Sequence, residues 1–234
     1  MNVALRTVSV YSSAVLLLAL SPAEGFAQSG VKENLDLPFD ALGEDEEEED
    51  APEVVNFYTV TLEGDGFFYI IDRSSTMTDQ GELNRAKAEV KKNISEFSDR
   101  VQFGIFFFDA NMTKFPSNGQ PATADTAMKQ SAKGFVDGTP GGHGTCGLKA
   151  IQAALQMANQ AKSQRKVIVF LSDGGGHCEG AEEAQYLGKV LSTVASINFQ
   201  KIKINTIGVL NLSALGEQFM RKLATMNGGT YTKI

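Results

Sequence analysis

Histidine and cysteine are scarce in this chain, two of each among 234 residues, and all four fall in two short stretches as His143, Cys146, His177 and Cys178. No G-x-S-x-G elbow, P-loop or H-E-x-x-H pair occurs. The usual sequence signals for a serine hydrolase, a nucleotide-phosphate cradle and a zinc peptidase are therefore missing. Excess basic charge is missing as well. The formal net charge is −7, and from Ala51 onward 19 Lys and Arg face 17 Asp and Glu, a net of +2. A body so nearly neutral has no basic face for nucleic acid. The N-terminal apolar run, about Ala14 to Leu20, is too short to span a bilayer. No internal repeat is evident.

What is present starts with an export signal. In "MNVALRTVSVYSSAVLLLALSPAEGFAQ", Arg6 supplies a positive start, Ala14 to Leu20 an apolar core and Gly25-Phe26-Ala27 a small-residue cleavage site. Cleavage after Ala27 is expected, making residues 1–27 a signal peptide and the mature protein periplasmic or secreted. Left uncleaved, the segment would tether the chain to a membrane. Residues 28–53 read as an acidic disordered linker, because "EDEEEED" (Glu44 to Asp50) is a block of like charge without periodicity. The remainder, 54–234, is expected to be one domain.

That domain alternates short apolar runs with amphipathic stretches, the pattern of βαβ units on a mostly parallel sheet. The runs are "FFYIID" (67–72), "VQFGIFFF" (101–108), "KVIVFLSD" (166–173), "KINTIGV" (203–209) and "GTYTKI" (229–234). Their continuous Val, Ile and Phe content suits strands buried on both faces. Apolar residues three and four apart predict helices over 82–97, 147–160, around Leu187–Ile197 and around Leu212–Leu223. "NMTKF" after Asp109 is expected to be a short antiparallel edge strand, and "VVNFYTVTL" (54–62) an extra leading strand. The fold class is α/β: a doubly wound, mostly parallel sheet flanked by helices. Ligands of such sheets bind at the carboxyl ends of the strands, where strand order reverses.

Two strands end conspicuously there. One ends in Asp72-Arg73-Ser74-Ser75-Thr76, a D-x-S-x-T pattern that gathers oxygens from alternate residues. A hard cation such as Mg²⁺ takes six oxygens at short range and keeps some waters. Taken alone, the turn reads more simply as hydroxyls capping a helix. Two further stretches shift that balance. "GTPGGHGTCGLKAI" places Thr145 in a glycine-rich loop before a helix, and "IVFLSDGGG" places Asp173 after a buried strand.

Together these residues resemble the von Willebrand factor A family, shared by integrin inserted domains and many bacterial surface proteins. The resemblance covers roughly 67–234 and extends to Ala150 and Ile151 after the threonine and to the ending "FMRKLATMNGGTYTKI". It implies a Rossmann-like fold and a metal-ion-dependent adhesion site built from Asp72, Ser74, Thr76, Thr145 and Asp173. Thr76 stands where the family usually has a second serine, keeping the hydroxyl and adding a methyl. The implied cofactor is Mg²⁺, or Mn²⁺ or Ca²⁺ in its place. Neutral hydroxyls in its shell leave the cation electrophilic, so the implied partner is a protein offering an Asp or Glu carboxylate. No catalytic residue is implied.

The family fold also brings the loops of Thr145 and Asp173 together, which makes a Cys146–Cys178 disulfide plausible in an exported protein. The alternative is zinc held by His143, Cys146, His177 and Cys178, although adjacent His177 and Cys178 make poor partners at one tetrahedral centre. An enzyme reading comes from "IIDRSST", which approaches the D-x-D-x-T of haloacid-dehalogenase-like phosphatases. Ser74 occupies the place of the second aspartate, so the proton-transfer carboxylate is missing. Gly142 to Gly147 matches G-x-G-x-x-G, but it follows a polar turn instead of a strand. A third reading is a structural interaction module that no longer uses metal.

Overall fold

The stretch 54–62, expected as one leading strand, is folded back on itself. The computed structural model describes residues 51–176, 178, 180 and 182–234. The expected signal peptide, the linker up to residue 50 and His177 lie outside the described residues. Strand β1 (Glu53–Phe57) pairs antiparallel with β2 (Val60–Gly64), leaving Tyr58 and Thr59 as the turn. Val55, Phe57 and Leu62 point into the core, the period-two pattern of a half-buried hairpin.

Strand β3 (Gly66–Asp72) is buried along its whole length. It leads into a one-turn helix α1 (Ser75–Asp79) and then α2 (Glu82–Glu96). Leu83, Ala86, Val90 and Ile94 of α2 are buried, as their spacing predicts. Strand β4 (Gln102–Phe108) follows, then β5 (Met112–Phe115) and the two-residue β6 (Ala122–Thr123), both antiparallel to β4. The edge strand after Asp109 is thus present. An unpredicted helix, α3 (Thr126–Gly138), starts where Asp125 accepts a hydrogen bond from Met128 N at 2.8 Å. Its buried residues are only Ala132 and Val136, a stripe too narrow to stand out in sequence.

The second half runs α4 (Leu148–Gln160), β7 (Lys166–Ser172), α5 (Glu183–Ile197), β8 (Lys203–Gly208), α6 (Ala214–Met226) and β9 (Tyr231–Lys233). The main sheet has the order β5-β4-β3-β7-β8-β9, parallel apart from β5 and β6. Alternate residues of β3 serve opposite faces. Phe67, Tyr69 and Ile71 pack with α2, α3 and the hairpin, while Phe68 and Ile70 pack with α4, α5 and α6. Each such side chain taken fully from water contributes roughly 1.5–3 kcal/mol. Strand order reverses at β3, which has β4 on one side and β7 on the other. The crevice expected of a doubly wound sheet therefore opens at the carboxyl end of β3.

Candidate metal centre

The chain leaves β3 on Asp72, a fully buried carboxylate. Its Oδ1 accepts from Ser74 N at 2.8 Å and its Oδ2 from Ser172 Oγ at 2.7 Å. Ser172 ends β7, and its Oγ accepts from Gly174 N at 3.0 Å. One serine thereby ties the ends of the two central strands together. Burial pushes the Asp72 carboxyl up to about 7, and the charge of Asp173 pushes the same way, while the hydrogen bonds from Ser172 and Ser74 pull it down. Asp173, half-buried, accepts from Gly175 N at 3.3 Å.

Ser74 is the N-cap of α1, yet its side chain makes no capping bond. Its Oγ lies 3.3 Å from Thr76 Oγ1 instead. Ser74 is buried and Thr76 exposed, so the hydroxyl pair leads outward to solvent. A capping role therefore does not account for the Ser74 hydroxyl.

Thr145 arrives on the loop between α3 and α4, which is sewn to the ends of β3 and β4. Gly142 N donates to Arg73 O at 2.7 Å, Ala110 N to His143 O at 2.7 Å, and Cys146 N to Asp109 O at 2.8 Å. Arg73 Nη2 donates to Asp109 Oδ1 at 3.2 Å, bracing the same corner. The loop presses so closely that a Cβ on Gly142 would stand 1.8 Å from Asp109 Oδ2, which only glycine avoids. Thr145 is buried, and its hydroxyl has no hydrogen-bond partner among the described residues. It lines a small, mainly apolar cavity together with Gly175 and Ser172, the serine that donates to Asp72. Tyr186 of α5 accepts from Leu148 N at 2.9 Å and so holds the start of α4.

Cys146 and Cys178 are joined in a disulfide, with their Cα atoms 4.9 Å apart. It links the loop of Thr145 to the loop that follows Asp173. Sulfurs bonded to each other offer zinc no thiolate, so the zinc alternative is set aside. Among the described residues no group of three or more His, Cys, Asp and Glu gathers as a metal cluster, here or elsewhere. The set at the strand ends differs in kind: two carboxylates and three hydroxyls, all hard oxygen donors. Asp72 and Asp173 repel each other, and oxygen donors of this kind suit a hard divalent cation.

Sequence reasoning missed Ser172, Arg73 and Asp109. A hydroxyl inside the buried run "VIVFLS" was the one available signal, for Ser172. The G-x-G-x-x-G match lies in the loop between two helices, not after a strand, so it lacks the context of a dinucleotide site.

A family model described as the von Willebrand factor type A domain matches residues 68–234. Among solved structures, a von Willebrand factor type A protein from Catenulispora acidiphila aligns with a TM-score of 0.62 and 21% identity, over 74% of this chain and 40% of that one. The pilus adhesin SpaC from Lactobacillus rhamnosus GG, in an open conformation, gives 0.57 and 11%, over 72% of this chain and 27% of that one. The vWF domain of the type V pili tip protein Mfa5 from Porphyromonas gingivalis gives 0.57 and 12%, over 72% and 89%. At these identities the likeness is one of fold. This chain thus spans less than half of the first two of those chains. No curated protein sequence matches it.

Proposed function

Because the chain belongs to the von Willebrand factor type A family, we propose that it is an exported, non-catalytic module that binds another protein through a divalent cation. The observation that carries this reading is the gathering of oxygens at the carboxyl ends of β3 and β7. The Ser74 hydroxyl sits beside that of Thr76 and is not used in capping, and Thr145 keeps its hydroxyl unengaged. Ser74, Thr76 and Thr145 would hold Mg²⁺, or Mn²⁺ or Ca²⁺, through their hydroxyls, with Asp72 and Asp173 acting directly or through water. When bound, the cation supplies an electrophilic position that an Asp or Glu carboxylate of the partner completes.

The chain's own residues prepare that position. Ser172 and the Ser74 amide fix both oxygens of Asp72. The Arg73–Asp109 pair and the disulfide hold the flanking loops. Asp72 is a poor candidate for a phosphatase nucleophile, because it is fully buried and both of its oxygens are engaged. Two of the structurally similar proteins are described as a pilus adhesin and a pilus tip protein. That supports adhesion at a cell envelope, reached after a leader at 1–27 is removed, with 28–53 as an acidic spacer.

Calorimetry with Mg²⁺ and Mn²⁺ is the direct test. Saturable binding is expected in the wild type and is expected to vanish in Asp72→Ala and Asp173→Ala. Absence of binding in the wild type, or its survival in both variants, would falsify the metal site. A pull-down from the native envelope with and without EDTA tests the partner, and capture that persists undiminished in EDTA would favour a metal-independent module.

A further inference from the structure

Next to the site loops lies a cavity, mainly apolar but bordered by a guanidinium, that the proposed function does not use. Arg73 follows Asp72, and its side chain is 9% exposed. A guanidinium carries five N–H donors. Only two bonds leave this one: Nη2 to Asp109 Oδ1 at 3.2 Å and Nη1 to Pro140 O at a long 3.4 Å. Its Nε is buried without a partner among the described residues. The side chain borders a cavity of about 310 Å³ whose other walls are Thr113, Phe135, Gly138, Thr139 and Pro140. Thr113 Oγ1, from β5, is likewise buried without a partner among the described residues. Buried polar atoms are nearly always paired, so two orphans on residues that line one cavity call for an explanation, and a ligand there would reach them through a small shift of either side chain.

Charge and shape narrow the ligand. Lys87 of α2 donates its Nζ to the carbonyl of Thr139, one of the walls. Lys91 and Asp137 pair with each other at 2.5 Å. Arg73 and Lys87 then have Asp109 between them, an excess of one positive charge. A guanidinium only donates and a threonine hydroxyl can donate, so their shared complement is an anionic oxygen acceptor. Phe135 and Pro140 supply apolar flanks. The volume lies at the low end for ligand sites and suits a short acyl group better than a nucleotide.

We infer that this cavity is a carboxylate-binding site, in which Arg73 and Thr113 take one short carboxylate, either free or on an acidic side chain of another protein. It is distinct from the cation's own ligands, because neither residue is among the five oxygen donors assigned to the cation, although the Arg73–Asp109 pair braces the same loops.

The test is an NMR titration of the isotope-labelled protein stripped of metal by a chelating resin, which removes the metal site from the measurement and leaves no soluble carboxylate chelator to compete. Propionate is expected to give saturable shifts at the Arg73 Nε–H and the Thr113 amide, and propionamide, its neutral isostere, none at the same concentrations. Thr113→Val keeps the shape, removes the hydroxyl and is expected to weaken propionate by roughly threefold to tenfold. Arg73→Lys, checked for folding by a thermal melt, loses the planar fork and is expected to weaken it by about tenfold or more. A capped glutamate, N-acetyl-glutamic acid methylamide, separates the sources. Binding at least as tight as propionate assigns the site to a protein side chain, and binding of propionate alone assigns it to a free acid. No saturable shift with either acid, an equal response to propionamide, or wild-type affinity in Thr113→Val overturns the site.

Discussion

Asp72 is held at a conflict between burial and charge. Its carboxyl is pushed from 3.8 to about 7 in the native state, first by burial and then by Asp173. A group of this kind keeps its proton when folded and loses it when unfolded between those values. The native state then binds more protons, and stability falls as pH rises from about 4 to 7. In chelator, the free energy of unfolding should drop across that window by a few kcal/mol, roughly 1.4 kcal/mol for each tenfold fall in proton concentration. Asp72→Asn should flatten the profile in urea denaturation at several pH values, and an unchanged slope would remove Asp72 as its source. The five candidate oxygens were legible because D-x-S-x-T and the two later residues are patterns along the chain. Ser172, Arg73 and Asp109 were not. Asp72 meets Ser172 across 100 residues and Arg73 meets Asp109 across 36, partnerships that only the sheet creates.

Among the elements, α2, α4, α5 and α6 were readable from periodicity and the parallel strands from their continuous apolar runs, whereas the hairpin was not. Its turn has no glycine, asparagine or aspartate, the residues that announce a tight hairpin. Tyr58 instead adopts a φ of 54°, which is unfavourable for an aromatic residue. Contacts from α2 offset it. The Tyr58 hydroxyl donates to Glu82 Oε1 at 2.6 Å, Tyr58 N donates to Glu89 Oε2 at 3.1 Å, and Arg85 lies 5.3 Å from the ring centroid. The turn is thus specified by a helix more than twenty residues later in the chain. Tyr58→Phe removes one hydrogen bond to a buried carboxylate and should lower stability by about 1.5–3 kcal/mol in urea denaturation. A loss below a few tenths would show that packing alone holds the turn. Helix α3 was missed for a related reason: its anchor is the Asp125 cap instead of a broad apolar stripe.

At the level of the whole molecule, the class of fold was legible, and so was the Cys146–Cys178 bridge that the family resemblance made plausible. The disulfide spans 32 residues and ties the last approach to α4 to the loop after β7. Closing a loop of that length removes unfolded-chain entropy worth roughly 3–4 kcal/mol. Replacing both Cys146 and Cys178 with serine should lower unfolding free energy by that amount and weaken Mg²⁺ in calorimetry. Unaltered Mg²⁺ affinity would confine the bridge to stability.

The central position of β3 also has a consequence in time. Its two neighbours, β4 and β7, follow it by about 36 and 100 residues, so it waits longest for its second flank while the chain is being completed. Pairings so distant in sequence form slowly. Until β7 arrives, Phe67-Phe68-Tyr69-Ile70-Ile71 is an uncharged, aromatic segment with an open edge, the kind that pairs with a second chain. The strand that delivers Asp72 to the site is also the one most exposed to aggregation before the site exists.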